Sequence, residues 1–352
     1  MVKKVVVVGG GFAGARVARS LENDERFSVT LIDTKDYFEF TPSVLRVLVE
    51  PEHIKKIQVL HKHYLKNSKI VNDKVVSVRE KDVVLKNGRK IKFDYLVLAS
   101  GSFYNEPFKA ENVVSETRAH ELSDFYNKLK NAKSVAIVGG GLVGVEVAGE
   151  ILDKYPEKEI TIIHSHERVL ERNPLKTSSY AENYFSKKGV KFVFNERVKD
   201  YKKKILETDK GTKIKADLVF GTIGITPHSE MIVKSEYKNL VDKRNFVEVD
   251  EFLRLKGVGE NGGNIFVCGD VAGIKEEKTA QHAVHQARVV VCNIRYSEGG
   301  KKLHKYIGEE SPLVISLGKW NGLFVKGNFV LTGFIPAVMK WFIEWNEMRK
   351  YW

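Results

Sequence analysis

The sequence predicts an α/β protein in which one βαβ unit occurs twice, as two segments of similar pattern indicate. Residues 5–21 read VVVVGGGFAGARVARSL, and residues 136–151 read AIVGGGLVGVEVAGEI. Each segment is an apolar run, typical of a buried strand, that breaks into glycines and resumes with helical periodicity. A second apolar strand pattern follows each helix, at residues 28–33 and 159–164. Because the 352-residue chain exceeds one typical core of roughly 100 to 200 residues, we expect two or three domains.

The composition is typical of an ordered protein in a reducing compartment. Hydrophobic residues make up 43% of the chain and charged residues 29%, with eight prolines. The two cysteines, Cys268 and Cys292, are too few for a disulfide framework. Because the first strand begins by about residue 3 and Val2 stands where N-myristoylation needs glycine, we expect neither a signal peptide nor a myristoyl anchor. Since no run of about 18 apolar residues exists, we expect a cytoplasmic protein, with peripheral membrane contact left open.

The first glycine segment predicts a dinucleotide site. Three glycines at G-x-G-x-x-G spacing follow the strand, and an aspartate stands 19 residues beyond the last of them, at the end of the next strand. The first glycine makes a tight turn, the second admits a pyrophosphate to the backbone, and the third lets the helix pack on the strand. The pyrophosphate would sit on the helix N-terminus and the aspartate would accept hydrogen bonds from a ribose. The predicted contacts are Gly9, Gly11, Phe12, Ala13, Gly14 and Asp33.

The second glycine segment has the same spacing but differs at the following strand. That strand ends in His164 and Ser165, where a site that prefers NADH usually has Asp or Glu. Without a carboxylate a 2′-phosphate is not repelled, and His164, His166 or Arg168 could pair with it, so NADPH is admissible beside NADH. In the alternative interpretation these residues only face solvent at a strand end. The predicted contacts are Gly139, Gly141, Leu142, Val143, Gly144, His164, Ser165 and Arg168.

Three shorter motifs stand at the ends of further predicted strands. LASG at residues 98–101 and GTIG at residues 221–224 lie where the chain would cross between the two nucleotide-binding units. IFVCGD at residues 265–270 ends in an acid that could hold the hydroxyls of a ribityl chain. The predicted contacts in these motifs are Ala99, Ser100, Gly101, Gly224, Gly269 and Asp270.

The order of these motifs resembles that of the flavoproteins with two dinucleotide-binding domains, which include glutathione reductase, apoptosis-inducing factor and the type II NADH dehydrogenases. YPEKEITIIHSHERVL at residues 155–170 and LGKWNGLFVKGNFVLTGF at residues 317–334 are similar to the ferroptosis suppressor subfamily. KDYFEFTPSVLR at residues 35–46 looks more like the bacterial dehydrogenases. The resemblance implies FAD in the first site, NADH or NADPH as electron donor in the second, and NAD(P)H:quinone oxidoreductase activity.

The resemblance also implies a domain organisation. We expect two Rossmann-like domains of the glutathione-reductase type. Residues 1–108 and 229–300 would form the two parts of an FAD-binding domain, and residues 109–228 would form an NAD(P)H-binding domain inserted between them. Residues 301–352 would add a small aromatic and basic segment for membrane and quinone contact or for a subunit interface.

The cysteines and one acid of the second glycine segment bear on the route of the electrons. Disulfide reductases need two nearby cysteines beside the flavin, and the segment after Asp33 has none. Cys268 lies in a buried strand and Cys292 in an apolar helix, so both are expected to be core residues and electrons should leave the flavin directly. Glu146 follows the second set of glycines by two residues and would face the gap between nicotinamide and flavin, where the equivalent Glu of the resembled dehydrogenases acts. The alternative is an acid that only complements the helix dipole.

The segment AQHAVHQ at residues 280–286 resembles a signature of the type II dehydrogenases, with a shifted register. Its helix N-terminus would point at the flavin pyrimidine edge and stabilise the reduced flavin. Gln281, His285 and Gln286 are predicted to contact the quinone or to supply its protons. The alternative is a set of ordinary polar residues on a packed helix.

The C-terminal segment predicts a membrane contact. Residues 301–352 hold eight Lys and Arg against four Glu. At helical spacing on one stripe lie Val338, Trp341, Phe342, Trp345, Met348, Arg349 and Trp352. A lipid headgroup region accepts aromatic and basic side chains together, so residues 329–352 are predicted to dock on a membrane. The alternative is packing on the flavin domain or on a second subunit.

We therefore expect an FAD-dependent NAD(P)H:quinone oxidoreductase that moves hydride from nicotinamide to flavin N5, reduces a lipid-soluble quinone without pumping ions, and protects lipids against peroxidation. A soluble reductase of a redoxin or a small radical acceptor is the alternative enzyme. A nucleic-acid-binding or cell-death factor is the alternative of another class, which the net charge of +13 allows. Against it, the basic residues form no long run with interleaved aromatics outside the tail. No metal site is predicted, and a homodimer is left open.

Overall fold

The computed structural model describes residues 1–104, 107–109, 114–201, 203, 205–258 and 263–352. The strands are β1 (Lys3–Val8), β2 (Phe27–Asp33), β3 (Tyr37–Glu39), β4 (Gln58–Leu60), β5 (Lys69–Asn72), β6 (Val75–Val78), β7 (Asp82–Leu85), β8 (Lys90–Lys92), β9 (Tyr95–Leu98), β10 (Ser102–Phe103), β11 (Ser134–Val138), β12 (Glu159–His164), β13 (Lys191–Phe194), β14 (Ile205–Glu207), β15 (Lys213–Lys215), β16 (Leu218–Gly221), β17 (Thr226–Pro227), β18 (Ile265–Val267), β19 (Leu313–Ser316), β20 (Gly322–Lys326) and β21 (Phe329–Gly333). The α-helices are α1 (Phe12–Leu21), α2 (Val44–Val47), α3 (Ile54–Ile57), α4 (His61–Tyr64), α5 (Ser115–Asn131), α6 (Leu142–Lys154), α7 (Leu175–Ser186), α8 (Glu230–Val233), α9 (Ala280–Glu298) and α10 (Phe334–Met348).

The first sheet contains strands from both ends of the chain. Within the described residues its order is β18-β9-β1-β2-β5, and all neighbours are parallel. The valines of β1 are buried on both faces, as expected for the central strand of a covered parallel sheet. Val5 and Val7 face the helical side, where α1 and α9 pack together. Val6 and Val8 face the small antiparallel sheet β6-β7-β8.

The second sheet repeats this plan with strands from one continuous segment. Its order in the described part of the chain is β13-β12-β11-β16, again with parallel neighbours. These strands lie between residues 134 and 221, inside the range predicted for the NAD(P)H-binding domain. The hairpin β14-β15 packs on one face through Leu206. The predicted fold class, an α/β protein with two Rossmann-like units, is confirmed.

The two crossings between the sheets lie next to each other. β10 leaves the first sheet and β17 returns from the second, and the two strands pair antiparallel with Ser102 opposite Pro227. Gly101 and Gly224 precede these strands with φ of +72° and +76°, a backbone conformation that favours glycine. One short two-stranded ribbon therefore connects the two units in both directions.

The C-terminal segment is folded onto the rest of the protein. The antiparallel sheet β19-β20-β21 precedes α10, and α10 packs on all three of its strands. α6 of the second unit contacts β19, while α3 of the first unit contacts α10. Met348 and Tyr351 are fully buried at its end. No helix among the described residues is both long enough and apolar enough to span a bilayer.

Candidate active site

The first glycine turn forms an open cradle at the start of α1. Gly9 has φ of +98°, and a Cβ built there would lie 2.3 Å from the carbonyl oxygen of Ala99. A Cβ on Gly14 would lie 1.8 Å from the carbonyl oxygen of Gly9, so only glycine lets α1 approach the turn. A Cβ on Gly11, by contrast, would meet no atom within 4 Å. This open space at a helix N-terminus fits the pyrophosphate of a dinucleotide.

Asp33 stands beside this cradle in a buried hydrogen-bond network. Its Oδ2 accepts the N–H of Gly10 at 2.9 Å and lies 3.1 Å from Nε2 of His61, whose Nδ1 is 2.7 Å from the Tyr64 hydroxyl. Burial raises the pKa of Asp33, but the His61 hydrogen bond and the charge of Lys35 outweigh it, so the net pKa is lowered. The carboxylate is thus ionised and fixed, as a ribose acceptor must be. Sequence reasoning missed His61, which lies 28 residues away.

The second glycine turn has the same construction. Gly139 has φ of +116°, and a Cβ there would lie 2.5 Å from the carbonyl oxygen of Thr222. A Cβ on Gly144 would lie 1.9 Å from the carbonyl oxygen of Gly139, whereas one on Gly141 would meet no atom within 4 Å. The second cradle therefore also leaves room for a pyrophosphate at the N-terminus of α6.

At the second cradle His164 occupies the position that Asp33 has at the first. The N–H of Gly140 donates to His164 Nδ1 at 3.1 Å, as the N–H of Gly10 donates to Asp33. Nδ1 must therefore be unprotonated, and the proton of the neutral ring lies on Nε2, 3.0 Å from Oε2 of Glu171. Burial lowers the pKa of His164 more than Glu171 raises it, which favours this neutral form.

The remaining residues predicted at this strand end are engaged within their own loop. Arg168 donates to the carbonyl oxygens of Asn173 at 3.1 Å and of Glu171 at 2.7 Å, so its guanidinium holds the loop together. Ser165 Oγ lies 3.2 Å from Nδ1 of the exposed His166. Sequence reasoning missed Glu171, whose carboxylate restores a negative charge near the cradle.

A cavity of about 670 Å³ extends from the first cradle to the C-terminal helix. Most of the residues predicted to hold FAD surround it, together with Leu142 and Val143 of the second cradle. The site residues predicted from the sequence that line this cavity are Gly9, Gly11, Phe12, Ala13, Asp33, Ala99, Ser100, Gly101, Leu142, Val143, Glu146, Gly269, Asp270, Gln281 and His285. A cavity that contains a phosphate cradle and a ribose acid and that reaches the second cradle fits FAD.

The predicted Gly-Asp pair is held by two separate sets of contacts. Asp270 Oδ2 accepts from Ser102 Oγ at 2.6 Å and from Lys109 Nζ at 2.8 Å. Burial raises its pKa, but Lys109 and Ser102 outweigh this effect and the net pKa is lowered. The N–H of Gly269 donates to Gln286 Oε1 at 2.6 Å. Gln286 is fully buried and does not line the cavity, so its position suits a positioning role rather than the predicted quinone contact.

The other two residues predicted on α9 do reach the cavity. Gln281 is exposed at the first turn of the helix, and His285 lies one turn later with its ring 5.2 Å from that of Tyr306. Thr279 caps the helix by accepting the N–H of His282, which leaves the positive end of the helix dipole at the cavity wall. This arrangement suits stabilisation of negative charge in the cavity.

Glu146 forms an ion pair that connects the second cradle to the C-terminal helix. It is buried at the cavity wall, where its Oε1 accepts the N–H of Ser316 at 3.0 Å and pairs with Nζ of Lys340. One turn further along α6, Glu150 pairs with Arg46 at 3.1 Å. Sequence reasoning missed Lys340, which lines the cavity beside Glu146.

The C-terminal helix has an inward face and an outward face. Lys340, Ile343 and Glu347 line the cavity. The exposed apolar side chains of this segment, with the neighbouring loop, are Trp320, Phe329, Phe334, Ile335, Val338, Trp341, Phe342, Trp345 and Trp352. We call this set the aromatic face. Met348, which the sequence placed on the same stripe, is buried instead, because the last turn of α10 packs into the core.

Neither cysteine is placed for disulfide chemistry. Cys268 is fully buried at the end of β18, and Cys292 is half-buried on α9; both are free thiols. Burial raises the pKa of Cys268 to about 12. A thiol with that pKa is unreactive at neutral pH.

Comparisons with known proteins show what the sequence and the fold of this chain are similar to. A model of the family described as pyridine nucleotide-disulphide oxidoreductase matches residues 3–287. Apoptosis-inducing factor homolog A of Dictyostelium discoideum is 32% identical over 96% of this chain and 88% of its own length. Ferroptosis suppressor protein 1 of Mus musculus is 31% identical over 91% of this chain and 87% of its own. The solved sulfide:quinone oxidoreductase of Aquifex aeolicus has a TM-score of 0.83 at 21% identity, covering 99% of this chain and 91% of that one.

Proposed function

Because the chain belongs to the pyridine nucleotide-disulphide oxidoreductase family and is an oxidoreductase that uses FAD and NAD(P)H, we propose that it reduces a lipid-soluble quinone. One observation carries this proposal. α10 lines the cavity on one side with Lys340 and Ile343 and exposes Phe342 and Trp345 on the other. An acceptor that binds at the aromatic face therefore lies across α10 from the cavity.

Two further observations support a quinone as the acceptor. The cysteines are unsuited to pass electrons through a disulfide, so direct transfer from the flavin to a small acceptor remains. The sulfide:quinone oxidoreductase that shares this fold acts, as its name says, on a quinone. By similarity to ferroptosis suppressor protein 1, the proposal includes a role against lipid peroxidation.

The charged residues at the flavin end of the cavity have distinct roles in this proposal. When bound, FAD supplies hydride acceptance from the nicotinamide and two-electron delivery to the quinone. Glu146, held by Ser316 and neutralised by Lys340, orients the nicotinamide carboxamide. The N-terminus of α9 supplies positive potential where negative charge develops. Gln281 and His285 contact the quinone, and the His285 ring supplies a proton to it.

We propose that the aromatic face docks on a lipid membrane. Its exposed tryptophans and phenylalanines lie beside cations, with Arg349 over the Trp345 ring at 4.8 Å and Lys319 over the Trp320 ring at 5.7 Å. Aromatic and basic side chains together suit the headgroup region of a bilayer. The predicted peripheral location would follow from this docking, and the cytoplasmic location stays a prediction.

Anaerobic stopped-flow spectroscopy of the FAD-loaded protein tests the relay. Mixing the protein with NADH or NADPH should bleach the flavin absorbance, and later addition of a quinone should restore that absorbance. Reoxidation by a redoxin but not by quinones would favour the soluble reductase. No bleaching with either nucleotide would contradict the enzyme proposal and favour the nucleic-acid-binding or cell-death factor.

A pair of double variants tests the docking. Phe342→Ser with Trp345→Ser removes two side chains that are 60% and 48% exposed, which is roughly 100 Å² each. At about 25 cal/mol per Å² and with partial insertion, the free energy of membrane binding should fall by about 2 to 3 kcal/mol, which is roughly 30- to 150-fold in vesicle partitioning.

The matched control is Leu175→Ser with Ile205→Ser, two exposed apolar residues of the second unit. The aromatic variant should lose reduction of a long-chain quinone in anionic liposomes but keep reduction of a soluble short-chain quinone. The control should keep both. Equal loss for the two quinones, or equal loss in the control, would refute docking through this face.

A further inference from the structure

The second cradle carries an acid that the sequence pattern does not reveal. At the first cradle a backbone N–H reaches Asp33 directly. At the second, the equivalent N–H of Gly140 reaches His164, and the far side of that ring reaches the Glu171 carboxylate at 3.0 Å. The order of groups is thus amide, imidazole and carboxylate, in place of amide and carboxylate. The negative charge stands one imidazole ring further from the backbone than in the first cradle.

The protonation states along this chain of groups are fixed by its two ends. The backbone N–H of Gly140 can only donate, so His164 Nδ1 must accept, and the Nε2 proton points to Glu171. Burial raises the pKa of Glu171, but its own backbone N–H and His164 outweigh this effect, so the net pKa is lowered. Glu171 is 24% exposed at its side chain and therefore remains reachable for a ligand.

A metal ion is a poor alternative for this cluster. Ligand atoms of His164, His166 and Glu171 lie within 4.8 Å of one another, which is close enough for one cation. To bind through Nε2, however, His164 would need its proton on Nδ1, and the N–H of Gly140 points at that atom. Metal binding would therefore break the hydrogen bond that shapes the cradle.

We propose that Glu171 is the residue that makes the second cradle select NADH over NADPH. Its carboxylate accepts a hydroxyl of the adenosine ribose and repels a 2′-phosphate at the same place. The inference rests on the proposed use of this cradle for the electron donor. The assignment differs from the expectation that His164 pairs with a 2′-phosphate, because His164 here orients the Glu171 carboxylate instead. Arg168 is engaged with loop carbonyls. Arg172 pairs with Glu277 at 3.1 Å, and both Arg172 and His166 lie 3.9 Å from Oε1 of Glu171. The proposal assigns the choice of nucleotide to the Glu171 carboxylate, which is held by the buried His164.

Binding of two redox-inactive fragments to the FAD-loaded full chain tests this assignment by calorimetry. The wild-type protein should bind ADP-ribose at least about tenfold more tightly than its 2′-phosphorylated form, because two partly solvated like charges repel at close range. Glu171→Gln keeps an acceptor for His164 but removes the charge, so the preference should fall by about tenfold, mainly through tighter binding of the phosphorylated fragment. Glu167→Gln removes an exposed acid of the same loop and should leave the preference unchanged.

The outcomes separate this inference from the proposed function. Equal binding of the two fragments by the wild-type protein would overturn the assignment of Glu171, whatever the variants do. A wild-type preference that Glu171→Gln retains would overturn it as well. If one of these two binding results is found although NADH bleaches the flavin, only the assignment of Glu171 fails and the quinone reductase proposal stands. If neither nucleotide bleaches the flavin, the proposed function fails.

Discussion

Replacing Tyr351 with alanine is expected to release the C-terminal helix from the first unit. The Tyr351 ring is 2% exposed, stacks on Phe38 at 4.0 Å and meets the edge of Tyr64 at 5.0 Å, with the Arg19 guanidinium 5.1 Å above it. Removing a buried aromatic side chain of this size costs about 3 to 4 kcal/mol, of which each ring pair contributes about 1 kcal/mol. Because the lost contacts lie only where the C-terminal segment meets the first unit, α10 should open more often while the two sheets stay folded.

Hydrogen exchange read out on peptides of residues 334–348 measures this opening. If the free energy of opening α10 falls by about 3 kcal/mol, the amides that exchange through this opening should exchange roughly 100-fold faster. Trp352→Ala is the matched control, because the next residue is 64% exposed and its replacement should change stability by less than about 0.5 kcal/mol. Faster release of FAD should accompany Tyr351→Ala, since the ring also supports the Tyr64–His61–Asp33 network. Equal exchange in both variants would refute the argument that Tyr351 anchors the helix.

Three other changes have expected outcomes that follow from single contacts. Gly141→Ala should keep the melting temperature and the bound FAD but abolish NADH binding measured by calorimetry, because the added Cβ enters only the open cradle. Gly144→Ala should also lower the melting temperature, because its Cβ would lie 1.9 Å from the carbonyl oxygen of Gly139. Gln286→Leu should weaken FAD retention on a desalting column without changing the type of quinone reduced, since its amide holds the Gly269 N–H at 2.6 Å. Cys268, with a pKa of about 12, is only about 0.01% thiolate at pH 8 and should react with a thiol reagent only after unfolding; rapid native labelling would contradict its burial.

The sequence predicted those features that depend on neighbouring residues. Both cradles, the strands before them and Asp33 follow from local spacing, because a glycine turn between strand and helix requires contacts within a few residues. The predicted strand 159–164 agrees with β12, and the predicted strand 28–33 begins one residue later than β2, within the usual uncertainty of element ends.

Contacts between distant segments could not be predicted from one sequence. Lys340 reaches Glu146 across 194 positions, and His61 reaches Asp33 across 28. Glu171 lies only seven positions from His164, yet the positive φ of Leu170 turns the loop back toward the strand, and no spacing rule shows that turn. Met348 was misplaced for a related reason, since helical periodicity cannot tell which face of the last turn meets the core.

The side-by-side crossings of the two units affect the order in which a newly made chain can fold. β9 is complete at residue 98, but its partner β18 lies about 170 residues later. At roughly 5 to 20 residues synthesised per second, this edge of β9 therefore stays unpaired for about 10 to 30 s during synthesis. The second sheet has all of its strands by residue 221 and can close first. The inserted unit therefore finishes before the unit that begins the chain, and the unpaired edge of β9 is the point at which a chaperone or a wrong strand would bind.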